Sequence, residues 1–367
     1  MAEPVRTAVA PNVGPGAGRL PGPDVVRAVA LIGVVVINFH GYLILRGSPR
    51  GDSALDDLFD PWTGPLSTRF AATFALVAGV GVTLLTRRSI GNRAAVLAKR
   101  LTLVRRGLVL YVGGLWLDTI WAGTILPFYG AMFIVGAGLF TLRSRWVLTV
   151  GAGAAVAAGA LRWRATQLRL DGNSVDWFFA PGGLLQWLAD VFVNGTHPLL
   201  PWLAFFCTGI VLGRLLATAA WRPIVISAGA VLVGLATLVS AMVPAGPLAS
   251  ILSSTDPFDR GLLYTASALG TALIAFGVLT WLADRFTASA PIDLLRDAGA
   301  MTLTLYVGHA LVFNLVVDWL GWIRPTGLDT ALAFAAGFWL VAITLASWYH
   351  RRFGIGPVER AYRLIGG

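Results

Sequence analysis

The stretch "PDVVRAVALIGVVVINFHGY", Pro23 to Tyr42, decides the class of this chain. Between Arg27 and Tyr42 only Asn38 and His40 are polar. About 20 such residues, wound as a helix, cross the roughly 30 Å hydrocarbon layer of a bilayer. Lipid offers no partner to backbone N–H and C=O groups, so a segment this apolar is stable there only as a helix.

The rest of the sequence repeats the pattern. Of 367 residues, 56% are hydrophobic and 13% charged, and mean hydropathy is +0.74, outside the range of soluble globular chains. The expected fold is an all-α polytopic bundle of about ten membrane helices. They fall near 25–45, 64–86, 101–119, 122–141, 145–161, 198–217, 223–243, 261–282, 299–320 and 329–349. "WFFAPGGLLQWLAD" within 177–192 is short, broken by Gly and Pro and rich in Trp, and reads as an interfacial or re-entrant segment. Residues 1–23 read as a disordered cytosolic tail, without the apolar core of a signal peptide. Residues 24–367 form one membrane domain.

The net charge of +10 comes from basic residues placed between apolar segments, with no interleaved basic and aromatic groove, so nucleic acid is excluded as a partner. Putting both termini in the cytosol gathers the dense set Arg87, Arg88, Arg93, Lys99, Arg100, Arg105 and Arg106 on the inner side. The acidic cluster Asp52, Asp56, Asp57 and Asp60 then falls outside. The expected location is the cytoplasmic membrane. Cys207 is the only cysteine, which excludes a disulfide framework and a cysteine metal site; no metal is expected. No P-loop, "HExxH" or GxSxG motif occurs in a productive context. His197, before Pro198 in an outer loop, reads as the residue that leads into the next helix.

Polar side chains inside a span are costly unless they face the bundle interior, which makes each a candidate for function. Arg27, Leu31, Val34 and Asn38 share one stripe of the first helix, whereas His40 lies about 200° round from Asn38. The two share a site only if the helix loosens near Gly41 or if other helices surround both faces. Asn38 also fits a plain interhelical hydrogen bond. An imidazole that exchanges a proton near neutral pH suits acyl transfer to a hydroxyl or amine, which points to His40. Tyr306 and His309 share a stripe of the ninth helix, either as packing contacts or as a polar wall. Asp118 closes the third helix. Arg105 and Arg106 at its start are placed to meet the phosphates of an anionic donor.

Six segments, in order, resemble the transmembrane acyltransferase superfamily that includes heparan-alpha-glucosaminide N-acetyltransferase and the bacterial YeiB-like proteins. The opening stretch is similar to its "DxxRGxAxxGxxxxN" helix, with Ala28 in place of the usual Gly. "FALVAGVGVTLLTRR", "RRGLVLYVGGLWLDTIWAGTILPFYGAMFIVG", "HPLLPWLAFFCTGIVLGR", "DAGAMTLTLYVGHAL" and "GPVERAYR" resemble later helices and the ending. Asp24, Arg27, Asn38, Arg105, Arg106, Trp202, Tyr306 and Glu359 match family positions. The catalytic histidine of the heparan enzyme lies in the first outer loop, where this chain has Asp and Arg, and His40 is the nearest substitute.

The resemblance implies an acyltransferase that takes an acyl group, acetyl first of all, from cytosolic acyl-CoA. Its acceptor would be a hydroxyl or amine of an envelope glycan or glycolipid. On this reading His40, Asn38, His309 and Tyr306 carry the chemistry, Arg27, Arg105 and Arg106 bind acetyl-CoA or another acyl-CoA, and Asp118 and Trp202 hold substrate. The alternative is a membrane transporter of a small or lipid-linked solute using the same polar residues. The oligomeric state stays open; a homodimer is one arrangement it allows.

Overall fold

A computed structural model describes residues 21–175, 188–243 and 246–367. The expected tail, up to residue 20, and most of the expected interfacial segment 177–192 lie outside the described residues. Every regular element among those described is helical. Helices α1 (Pro21–Ile44), α2 (Ala54–Phe59), α3 (Arg69–Thr86), α4 (Arg93–Asp118), α5 (Leu126–Leu139) and α6 (Ser144–Leu170) precede a π-helical turn, Asp190–Asn194. Then come α7 (Leu199–Leu215), α8 (Trp221–Met242), α9 (Pro247–Ser253), α10 (Leu262–Arg285), α11 (Ala290–Gly299), α12 (Thr302–Phe313), α13 (Leu328–Phe353) and α14 (Pro357–Gly366).

Each of the ten apolar segments forms a helix, but among the described residues seven are long and apolar enough to cross a membrane: α1, α3, α6, α8, α10, α12 with the π turn that follows it, and α13. The shortfall has two physical causes. α5 and α7 have 14 and 17 residues, which at 1.5 Å per residue gives about 21 and 26 Å, short of the hydrocarbon thickness. α4 begins eight residues before its expected start of 101 and carries Arg93, Lys99, Arg100, Arg105 and Arg106 between its start and its midpoint turn.

α1 is apolar all round and therefore central. It packs against α3, α10, α11, α12 and α13. Phe39, fully buried, stacks on Phe334 of α13 at 4.3 Å and meets Phe313 of α12 at a tilt, with centroids 5.4 Å apart, and these contacts set the rotation of α1. α3 and α7 approach closely at Gly79 and Gly209, where a Cβ would strike the carbonyls of Phe206 and Leu76. Small residues permit such contact, the usual basis of helix association in lipid.

The start of α1 and the last helix lie at one end of the bundle. Asp24 abuts Gly299 at the end of α11, and Glu359 of α14 reaches the start of α12. At the other end Arg46 pairs with Asp318 through Nη2 and Oδ2 at 2.6 Å.

Candidate functional site

At that far end a cavity of about 300 Å³ opens along α1, lined from Leu45 down through Tyr42, Asn38 and Val34 to Leu31. From Leu31 to Leu45 the lining covers 15 residues, a rise of roughly 21 Å along the helix axis. The opposite walls come from the segment 61–74, from 121–125, from Thr196, His197 and Phe258, and from Tyr306.

The loop after α4 forms one of these walls because several side chains clasp it. Asp118 Oδ1 accepts from the amides of Gly123 at 2.8 Å and Thr124 at 3.3 Å. Gly123, with φ of 80°, supplies the left-handed backbone that this closure needs. Asn314 Nδ2 donates to the carbonyl of Ile120 at 2.8 Å, and the Tyr42 hydroxyl donates to that of Ala122. Tyr306 accepts from the amide of Ile125 at 3.2 Å and shares a hydrogen bond with the Thr124 hydroxyl at 3.0 Å. Asp118 is thus consumed by its own loop, and the polar capacity of Tyr306 by the wall it braces.

Asn38 Nδ2 lies 3.3 Å from Nε2 of His309, whose Nδ1 meets the carbonyl of Tyr306. A carbonyl only accepts, so Nδ1 carries the proton and Nε2 accepts from the Asn38 amide. That fixes the Asn38 side chain on the cavity wall and leaves its Oδ1 and second N–H available to a bound molecule. His309 itself is fully buried, with both nitrogens engaged. It positions Asn38.

His40 falls elsewhere. α1 runs unbroken through Gly41 to Ile44, so the loosening that would bring His40 beside Asn38 does not occur. His40 is buried, its Nδ1 is 3.0 Å from the carbonyl of Phe59, its Nε2 has no partner, and it is not among the residues lining the cavity.

The imidazole that does line the cavity is His197, the residue that leads into α7. The edge of Trp202 supports it, with ring centroids 4.7 Å apart and an interplanar angle of 77°. Trp202 is almost wholly buried and acts on the cavity through this contact. Arg260 donates to the carbonyls of Asn194 at 2.9 Å and Thr196 at 3.4 Å, bracing the turn that carries His197. Burial, with the Arg260 charge second, pushes the His197 pKa down to about 3, so its ring is neutral. A histidine beside a proline at the start of an apolar helix was the only signal available, and it has no periodicity to mark it.

At the opposite end Arg27 lies one turn below Leu31 and pairs with Asp24 at 3.2 Å. Arg106 stacks over Tyr362 of α14, its guanidinium carbon 5.6 Å from the ring centroid, and donates to the Gly367 oxygen at 2.6 Å. Burial raises the Tyr362 pKa to about 12 against the opposing charges of Arg106, Arg363 and Arg27. Arg105, exposed one position earlier, faces another direction.

A family model described as "Heparan-alpha-glucosaminide N-acetyltransferase, catalytic" matches residues 19–242, more than half of the chain. A second, described as "Protein of unknown function (DUF418)", matches residues 202–365. No curated protein matches.

Proposed function

The chain belongs to the family described as heparan-alpha-glucosaminide N-acetyltransferase, catalytic, and from that premise we propose that it moves an acyl group, acetyl first of all, from cytosolic acyl-CoA to an acceptor entering from the outer side of the cytoplasmic membrane. One observation carries the reading. The cavity descends α1 to Leu31, and Arg27 follows one helical turn, about 6 Å, further in. A thioester whose phosphates rest on Arg27, Arg106 and Arg363 would reach the floor of the cavity, toward Asn38.

The acceptor oxygen or nitrogen attacks the thioester carbonyl, the C–S bond breaks, and the proton released by the acceptor ends on the departing sulfur. Negative charge develops on the carbonyl oxygen in between. The second N–H of Asn38, held in place by His309, is the donor available to it; such a fixed donor typically contributes 10²- to 10³-fold to rate. The basic clusters at the proposed donor end and the opening of the cavity at the opposite end support this direction of transfer, since cytosolic ends of membrane helices carry the excess of Arg and Lys.

The test is transfer of label. Purified protein in lipid nanodiscs receives labelled acetyl-CoA and a glycolipid extract of the envelope. Label in the extract, lost in Asn38→Ala, supports the reading; an absence of both transfer and acetyl-CoA binding contradicts it.

A further inference from the structure

Behind the cavity lies a buried hydroxyl that the packing does not explain. Tyr129 of α5 is 4% exposed, and among the described residues its hydroxyl has no hydrogen-bond partner. Buried polar groups are nearly always paired, and leaving one unmet opposes folding. Phenylalanine would fill the same space without that penalty, so the hydroxyl points to a partner from outside the chain.

Its position limits what that partner is. The Tyr129 ring lies parallel to that of Phe74, with 3° between the planes and centroids 5.7 Å apart, and Phe74 lines the cavity. The Tyr129 amide donates to the carbonyl of Ile125 at 3.0 Å, one helical turn from a residue of the cavity wall. The ring therefore backs the lower part of the cavity, behind Phe74.

Depth follows from the helices on either side. α3 and α5 descend together: seven residues beyond Phe74 and Tyr129 come Gly81 and Gly136. A Cβ on Gly136 would meet Val82 at 3.9 Å, and one on Gly81 would meet Arg27 Nη2 at 2.8 Å. Seven residues of helix put Tyr129 roughly 10 Å above the level of Arg27. Asn38, eleven residues along α1 from Arg27, stands roughly 16 Å above it.

We propose that Tyr129 is a binding residue for the acyl donor, its hydroxyl donating to an amide carbonyl of the pantetheine arm of acyl-CoA. The inference rests on the acyl-CoA reading and adds to it a group on the donor's path. That arm joins the diphosphate of CoA to its sulfur and carries two amides. With the phosphates at Arg27 and the thioester at Asn38, it passes the depth of Tyr129 a little beyond halfway. The side chains of Leu31, Val34, Ala71 and Phe74, which line the cavity there, offer an amide no hydrogen bond. An amide taken out of water into such a lining needs a partner, as does the hydroxyl. The arm meets it by displacing the Phe74 ring that covers it.

The test removes one oxygen. Parent and Tyr129→Phe proteins in nanodiscs are titrated calorimetrically with acetyl-CoA and with adenosine 3′,5′-bisphosphate, which keeps phosphates but lacks the arm. Tyr129→Phe is expected to bind acetyl-CoA about three- to tenfold more weakly and the bisphosphate as the parent does. In transfer assays its KM for acetyl-CoA should rise by a similar factor with kcat little changed. Its Tm should equal or exceed that of the parent, since an unmet hydroxyl is gone. Equal acetyl-CoA affinity in the two proteins would leave a buried water as the partner and overturn the proposal. A parallel loss of bisphosphate binding, or a lower Tm in the variant, would also overturn it by giving the hydroxyl a structural role. A parent protein that binds no acetyl-CoA would sink the acyl-CoA reading and this assignment together, whereas binding that the variant leaves untouched sinks the assignment alone.

Discussion

The amide of Asn38 meets Nε2 of His309 at 3.3 Å, across 271 residues of sequence. The pair joins the first helix of the bundle to the one that carries Tyr306, and it turns an in-span asparagine into a donor of fixed direction on the cavity wall.

If Asn38 stabilises the transition state and His309 holds it in place, the two act as a unit. Asn38→Ala should lower kcat/KM for acyl transfer about 10²-fold. His309→Ala should cost a comparable factor, and the double variant little more than either, the non-additivity expected of coupled residues. Additive losses in transfer assays would separate the two residues.

His40 makes the opposite case. It touches the Phe59 carbonyl and not the cavity. His40→Ala should lose about 1 kcal/mol of stability with its hydrogen bond and keep kcat/KM within about threefold of the parent. A collapse of transfer in folded His40→Ala protein would return this residue to the chemistry.

Glu359 has a structural role at the other end of the same helix as His309. Its carboxylate accepts from the amides of Leu303 at 2.6 Å and Thr304 at 3.0 Å, and from the Thr304 hydroxyl at 2.5 Å. It fills the N-terminus of α12, where orphan amides and the helix dipole favour an anion. Glu359→Gln should destabilise the protein by about 1–3 kcal/mol, read as a lower Tm in nanodiscs. Transfer should fall with it, because Tyr306 and His309 occupy the next turns.

The neutral His197 ring makes stability depend on pH. Its pKa is about 3 when folded, against the ordinary histidine value of 6.5. Between these values the unfolded chain binds the extra proton, so stability is complete above about 6.5 and falls as pH drops toward 3. The loss at pH 4 should be on the order of 2 kcal/mol after allowance for the partial exposure of the ring. Thermal unfolding of wild type and His197→Gln from pH 7 to 4 checks this: the variant should lose part of the acid slope.

The positions of the helices were legible because apolar runs of sufficient length leave a chain in lipid no other structure. Asn38 and Tyr306 were legible as polar groups in apolar helices, and both line the cavity. The partnership of Asn38 with His309 was not, since it depends on the relative rotation of α1 and α12, set here by Phe39 against Phe313 and Phe334. His40 drew attention as an in-span imidazole, yet the helix turns it toward the loop at Phe59. His197 carries a weak signal for the reverse reason: a loop residue belongs to no stripe, and its place on the wall comes from Arg260 and Trp202, 63 and five residues later in the chain. Glu359 was visible as part of a motif, but its function as a cap appears only where α14 meets α12.

Sidedness tests the central claim most directly. Acetyl-CoA does not cross a bilayer, so labelled acetyl-CoA is added to sealed inside-out and right-side-out vesicles from cells that express the protein. The account predicts labelled acceptor in the inside-out vesicles alone, with right-side-out vesicles becoming competent only when acetyl-CoA is loaded inside them. Equal labelling from both faces, or movement of a solute across the membrane with no acyl transfer, would contradict it.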